Sequence, residues 1–377
     1  MTTTSRAMIN DEGPTRRQVL ATGGAAVAGA VAAGSLSATP AAAVDGTAAD
    51  AAARLPEFWY QDNNLGQGGR GAPPDLESRY DNLDTWRHAR RAMHTFSFGQ
   101  VGAGDNYADV VKYEPELLDT MASAHADMNF AFNVTQATTW WWHKFQETGE
   151  IPEGPPDFTA TINNLRQLRA AGFNLTNILL QSVLSKPGPG RFLGYSMERR
   201  IQDVVEFNDQ VRGEFPDVQI GVIYPLNDKP GIYPPWREVL TSLQSELRSS
   251  GHELDFIHFD KPFEHPRLEI ERPSGPMTWD RMVEVERFIK GLGVTFGLQC
   301  TDGRAGRQSN NAFRRRVLEG IATYVDHGGA ADRYILWPFH PYPDHSTPDT
   351  LGELPPEGAS QMRIFREMAR GAAARRH

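Results

Sequence analysis

The sequence predicts a single (β/α)8 barrel of the TIM type, and three observations predict it. Short β-rich runs alternate with longer stretches of helical spacing, the signature of βα units and a parallel sheet. The chain has 377 residues, of which 334 remain once an export leader of 43 is set aside, a length one barrel can hold as a single domain. No Gly-rich phosphate loop follows any strand-like run, which disfavours an open doubly wound sheet.

The leader comes first in the chain. Thr15-Arg16-Arg17-Gln18-Val19-Leu20 places two arginines before an apolar stretch, 21–36, that is built mostly of Ala, Gly and Val. That stretch is shorter and less apolar than a membrane-spanning helix, which needs about 20 apolar residues. Pro40-Ala41-Ala42-Ala43 follows as a small-residue cleavage site. Residues 1–43 therefore read as a twin-arginine signal peptide, with the Tat translocase as partner during export and the extracellular space as destination. No Cys lies near the cleavage site, so no lipid anchor is expected.

Residues 44–90 are rich in Ala, Gly, Pro and Asp and read as a linker and irregular lead-in, with Phe58-Trp59-Tyr60 packing on the barrel. The barrel is expected over 91–377. Seven strands are predicted, at 94–101, 127–134, 174–183, 218–224, 254–260, 294–300 and 333–337. Between them, Ile162, Leu165 and Leu168 recur at helical spacing before Gly172. Met197, Ile201, Val204, Val205 and Phe207 mark a second helix, and Val239, Leu240, Leu243 and Leu247 a third. Thr278 starts another as an N-cap, Phe313, Val317, Ile321 and Tyr324 mark the next, and 357–373 closes the chain. The eighth strand is expected at 58–61 or within the first helical stretch.

Composition narrows the function. The chain carries a formal net charge of −9, and −10 without the leader, which disfavours nucleic acid or an anionic membrane as partner. The single cysteine, Cys300, excludes an intrachain disulfide and reads as a buried small residue. No G-x-S-x-G elbow is present, so a serine nucleophile is not expected.

In such barrels the chemistry sits at the C-terminal strand ends. Strand parity selects the residues that point there. In 254–260, Ile257 and Phe259 suit the helix layer, which turns Phe256, His258 and Asp260 inward; Glu264 follows in the next loop. The same parity puts Asn129, Ala131 and Asn133 inside, then Asn177, Leu179 and Gln181, then Thr295, Gly297 and Gln299. An interior this rich in amides implies mutual pairing or a hydroxyl-bearing ligand. Pairing suits the lower positions, Asn129 and Asn177, and a ligand the upper ones, Asn133, Gln181 and Gln299. The loops after the strands add Tyr224, Asp228, Asp302, Trp337, His340 and the run Trp140-Trp141-Trp142, with Trp141 as a stacking candidate. Aromatic faces beside acids and amides suit a carbohydrate, whose C–H faces stack and whose hydroxyls take amides and carboxylates.

The body resembles the secreted (β/α)-barrel glycoside hydrolases of actinobacteria. The barrel pattern, the carboxylates at strand ends and the closing Trp337-Pro338-x-His340-Pro341 run carry the resemblance, over most of 90–370. The alternating acids of the chitinase-like pattern are not matched, since position 258 is His and no Glu stands two residues after Asp260. The resemblance implies hydrolysis of a glycosidic bond by two carboxyl groups, without a cofactor. Asp260 is then the nucleophile or base, and Glu264 or Asp228 the acid. Asn133, Gln181, Tyr224, His258, Gln299, Asp302, Trp337, His340 and Trp141 would hold the substrate. Two alternatives stay open. One is a metal-dependent hydrolase or lyase centred on His258 and Asp260 with His340, Asp302 or Glu264. The other is a barrel that binds carbohydrate without turning it over.

Overall fold

A computed structural model describes residues 55–62, 73–75, 78–99, 115–134, 145, 148–150, 153–154, 156–181, 183–184, 196–226, 234–272, 275–352 and 358–375. The chain divides into two units, Met1–Ala53 and Arg54–His377. The first lies wholly outside the described residues, as do the expected leader and its cleavage site.

Eight parallel strands close into a barrel in sequence order. They are β1 (Glu57–Asp62), β2 (Thr95–Gly99), β3 (Asn129–Val134), β4 (Leu175–Gln181), β5 (Gln219–Tyr224), β6 (Phe256–Phe259), β7 (Thr295–Cys300) and β8 (Arg333–Leu336). All seven strands read from the sequence are present, trimmed at their ends. The eighth is β1, at the first of the two places offered for it, so the barrel draws its first strand from the 44–90 stretch. β1 pairs with β2 on one side and β8 on the other.

The helices whose bounds are described are α1 (Ser78–Asp81), α2 (Arg87–Ala92), α3 (Pro115–Ala124), α4 (Thr159–Ala170), α5 (Met197–Glu214), α6 (Trp236–Ser249), α7 (Glu264–Arg267), α8 (Trp279–Gly291), α9 (Asn310–Asp326) and α10 (Gln361–Ala374). Four begin at a hydroxyl cap: Ser196, Thr278, Ser309 and Ser360 each accept a hydrogen bond from the backbone N–H three residues on. Such a bond satisfies one N–H that the first helical turn leaves unpaired. Among the described residues, no helix is long and apolar enough to cross a membrane.

Two cores result from strand alternation. The larger lies between sheet and helices and takes the outward strand residues, among them Phe96, Phe130, Ile178, Val222, Ile257 and Leu298. The smaller fills the barrel: Trp59, Ala131, Leu179, Ile223, Phe256 and Ile335. Register stacks the inward side chains in layers of four from alternate strands. Trp59, Ala131, Gly221 and Gly297 form the middle layer, and Ser97, Leu179, His258 and Ile335 the next. Gln61, Asn133, Ile223 and Gln299 lie above, and Gln181, Asp260 and Trp337 reach the mouth. Large and small residues alternate because the lumen has room for only one of each neighbouring pair. A Cβ at Gly221 would sit 2.3 Å from the Phe256 ring, and one at Gly297 2.5 Å from His258 Cδ2. The floor is polar. Arg333 lies over Trp59 and Phe256 at 4.5 and 4.7 Å and donates to Glu57 and Gln219, both at 2.9 Å.

The seam between β1 and the chain's end is tied by buried polar groups. Arg79 donates to Asp62 at 2.6 Å and to Tyr60 Oη at 3.0 Å, and Tyr60 in turn donates to Gln361 at the start of α10. Asp349 accepts from the backbone N–H groups of His88 and Ala89, 2.7 Å each, and so caps α2 from a distant loop.

Candidate active site at the C-terminal rim

Parity holds at the strand ends that matter. β6 ends at Phe259, and Asp260 continues its ladder, donating its N–H to Tyr224 O at 3.0 Å. The register carries Asp260 to the mouth in one layer with Gln181 and Trp337, and its side chain is half-buried.

The amide ring exists and is partly self-satisfied. Asn133 donates to Gln181 at 2.8 Å, and Gln299 to Gln61 at 3.4 Å. Mutual pairing thus occurs in the upper layers, not at the lower positions expected for it: Asn129 is exposed and accepts from Asn174 at 3.2 Å, and Asn177 donates to Thr176 at 2.7 Å with its Oδ1 buried and unpartnered. The pairing is incomplete. Gln61 Nε2, Ser97 Oγ, Asn133 Oδ1, Gln299 Oε1 and both ring nitrogens of His258 are buried without a hydrogen-bond partner. Each such group costs on the order of 1–3 kcal/mol.

Three residues expected to touch a ligand are placed elsewhere. Tyr224 is the outward neighbour of Ile223 and is buried in the sheet–helix core, so parity removes it from the mouth. His258 lies a layer below the amides, wholly enclosed, edge-on to Trp59 at 4.9 Å and tilted on Phe256 at 4.7 Å. Burial, with Arg333 nearby, holds its pKa well below the ordinary histidine value, so it is a neutral core residue. Asp302 is buried and committed. Its Oδ1 accepts from Ala305 N at 2.8 Å, and its Oδ2 from Arg267 at 3.1 Å, which fixes the turn after β7. The metal alternative loses its centre with His258. Among the described residues, no three His, Cys, Asp or Glu side chains come together as a metal cluster. Asp228 and Trp141 lie outside the described residues.

What does converge is Glu264 with His340. Glu264 opens α7, and its Oε2 accepts from Gly303 N–H at 2.7 Å. A Cβ on Gly303 would sit 2.7 Å from Glu264 Oε1 and 2.5 Å from His340 Nε2, so both groups stand against one point on the turn after β7. Burial pushes the Glu264 pKa up against the pull of the Gly303 N–H, and Asp302 adds to the rise. Burial and Arg307 push His340 down. Beside them, His265 accepts from Arg272 at 2.9 Å, and its pKa falls to about 4 through burial and the charges of Lys261, Arg272 and Arg304. Trp337 packs against Phe339 at 5.3 Å, and the Phe339 ring, half exposed, also faces His340 at 5.5 Å.

Gln61, Ser97 and Phe339 were not singled out by the sequence. Applying parity to 94–101, where Phe96 and Phe98 face out, turns Ser97 inward. Gln61 needed β1 to be recognised as a strand.

No family model matches the sequence, and no curated protein matches it. Solved structures do match. A glucosidase from Croceicoccus marinus is 15% identical, with a TM-score of 0.47 over 81% of this chain and 66% of that one. An endo-β-1,4-mannanase from Thermotoga petrophila is 10% identical, with a TM-score of 0.46 over 86% of this chain and 77% of that one. A pyruvate carboxylase from Rhizobium etli is 10% identical, with a TM-score of 0.43 over 87% of this chain and 28% of that one. The chain spans just under two thirds of the glucosidase and less than a third of the carboxylase. At these scores, with unlike chemistries among them, the likenesses carry no argument about activity.

Proposed function

We propose that the chain is a glycan-active barrel enzyme, a glycoside hydrolase, with Glu264 as general acid and Asp260 as nucleophile or base. The observation that carries this reading is Glu264 itself. It is a half-buried carboxyl at the rim, its pKa pushed above the ordinary glutamate value by burial, one loop away from Asp260. Cleavage of a glycosidic bond needs this asymmetry, one carboxyl protonated to assist the leaving oxygen and one ionised to attack or activate water. Glu264 would give its proton to the glycosidic oxygen as the C–O bond breaks and the bonding pair moves to that oxygen. Asp260 would meet the anomeric carbon directly or through water. Gln181, Trp337 and the exposed face of Phe339 offer hydrogen-bonding and stacking groups at the same rim.

The test is turnover of a polysaccharide panel, read as reducing ends released. Asp260→Asn and Glu264→Gln should each lower kcat by about 10²-fold or more with little change in Tm. Glu264→Gln should lose less on substrates whose leaving group needs no proton. Wild-type turnover in both variants would remove the pair from the site. The order of signals in residues 1–43 supports export through the twin-arginine route. Replacing Arg16 and Arg17 by Lys should leave precursor in the cytoplasm, and normal secretion of that variant would overturn the export reading.

A further inference from the structure

In the two upper layers of the lumen the unpartnered polar atoms lie on one side. They are Gln299 Oε1 on β7, Trp337 Nε1 just past β8, Gln61 Nε2 on β1 and Asn133 Oδ1 on β3. β2, between β1 and β3, brings only Gly99 to the mouth layer, and Ser97 Oγ, one layer below the amides, is unpartnered as well. All five side chains are more than nine-tenths buried. The barrel closes β8 on β1, so these strands run without a gap from β7 through β8 and β1 to β3. On the remaining arc, neither Gln181 nor Asp260 is left unpartnered. β6, which carries Asp260 and leads to Glu264, stands four strands from β2, straight across the lumen.

Self-pairing does not complete this arc. Gln299 Nε2 reaches Gln61 Oε1 at 3.4 Å, beyond the usual range of about 2.7–3.2 Å, and the pairing leaves a donor on Gln61 and an acceptor on Gln299 unused. Buried polar groups left so are destabilising unless a ligand or solvent group completes them. The set of atoms says what completes it. Gln61 Nε2 and Trp337 Nε1 only donate, Asn133 Oδ1 and Gln299 Oε1 only accept, and Ser97 Oγ does both. A hydroxyl donates and accepts, so it satisfies both kinds at once. A carboxylate or sulfate only accepts. It would face the amide oxygens of Asn133 and Gln299, with no Lys or Arg at the inward positions of either layer. We infer that the arc from β7 to β3 is the specificity subsite of the barrel and takes the vicinal hydroxyls of an uncharged sugar residue, read by Gln61, Asn133 and Gln299. The inference rests on the reading of the chain as glycan-active and names the class of glycan. A sugar held by this arc turns its far edge to β6, where Asp260 and Glu264 meet the bond to be cut. The long Gln299–Gln61 bond is the one an incoming hydroxyl replaces, and Gly99 adds no side chain to the rim above.

Binding tests the subsite without turnover. Full-length protein is titrated calorimetrically with neutral gluco-, manno-, xylo- and galacto-oligosaccharides and with an oligogalacturonide. At least one neutral series should bind, and the oligogalacturonide about tenfold or more weakly than that series. Gln61→Leu/Gln299→Leu removes both members of one amide pair and keeps their bulk. Affinity for the bound neutral series should fall about tenfold or more, while Tm stays level or rises, because the orphaned groups leave the core with the pair. A structural pair would give the reverse, a lower Tm and unchanged affinity. Ser97→Ala should weaken binding about fivefold with Tm kept, and it decides the matter if the double variant does not fold. No binding by any neutral series, oligogalacturonide bound as tightly as the best of them, or unchanged affinity in the variants would overturn the inference. The hydrolase reading fails differently. A neutral oligosaccharide that the arc binds and the protein does not cleave discards the hydrolase and leaves the subsite. Cleavage of charged glycans alone discards the subsite and leaves the hydrolase.

Discussion

Asp260 and Asp302 follow neighbouring strands and are enclosed to different degrees, Asp260 half-buried and Asp302 fully buried. Asp302 is enclosed and accepts from Ala305 N–H and from Arg267, whose own side chain is partly open to water. Breaking a buried pair costs about 3–5 kcal/mol, and the exposure of Arg267 lowers that figure here. Asp302→Ala should therefore destabilise the fold by about 2 kcal/mol, read as a lower urea midpoint at unchanged slope. Asp260→Asn should leave that midpoint nearly in place. Wild-type stability of Asp302→Ala would return Asp302 to the ligand-binding candidates. The sequence could not separate these two acids. Both follow a strand, and only the turn geometry reveals that one is a cap. Tyr224 shows the complementary case: its place at a strand end suggests a ligand, but in β5 Ile223 fills the lumen and Tyr224 the sheet–helix core. Glu264 was legible as an acid near Asp260, whereas the Gly303 N–H that holds its Oε2 comes from a β7 turn 39 residues away in sequence.

Among the elements, the seven strands from β2 to β8 were legible because alternating or continuous apolar runs stood between polar breaks. β1 was legible only as one of two places for the eighth strand, for a physical reason. Its sequence Glu-Phe-Trp-Tyr-Gln-Asp has no β-branched residue and lies in a Pro- and Gly-rich stretch. It becomes a strand because β8 and β2 present unpaired edges on either side, a tertiary demand that local propensity does not encode. The helices offer a sharper test of local against tertiary control. Gly320 in α9 and Gly371 in α10 are both helical glycines, and glycine there costs up to about 1 kcal/mol relative to alanine. A Cβ at Gly371 meets nothing within 4 Å, so Gly371→Ala should stabilise by about 0.5–1 kcal/mol. A Cβ at Gly320 would sit 2.2 Å from Phe263 Cδ2 and 2.5 Å from its Cγ, in a buried ring that cannot yield cheaply. Gly320→Ala should destabilise by about 1–3 kcal/mol. The two denaturation midpoints should move in opposite directions. Equal shifts would mean that α9 is not seated on Phe263 as described.

At the scale of the whole molecule, each of the two cores encloses a neutral histidine, and this links stability to pH. His125 lies in the sheet–helix layer, stacked on Phe96 at 4.6 Å and edge-on to Tyr80 and Trp86, with its pKa lowered by burial to about 3. His258 lies in the lumen, also held well below the ordinary value by burial. Unfolding exposes both, and each then binds protons with an ordinary pKa near 6.5. Below that value the unfolded chain takes up protons that the folded chain refuses. Each histidine's contribution is therefore complete above about pH 6.5 and is lost as pH falls towards its folded pKa, by up to roughly 1.4 kcal/mol per pH unit. Glu264 opposes them. Its raised folded pKa favours the folded state as pH falls, but it is one half-exposed group against two enclosed ones. The net expectation is a steep loss of stability between about pH 6.5 and pH 4.5, before most carboxylates protonate. Urea unfolding at half-unit steps across that window measures it. His125→Phe keeps the stack on Phe96 and removes the titration, so its stability should fall less steeply than that of the wild type. Parallel profiles for the two proteins would show that His125 is not held neutral in the fold.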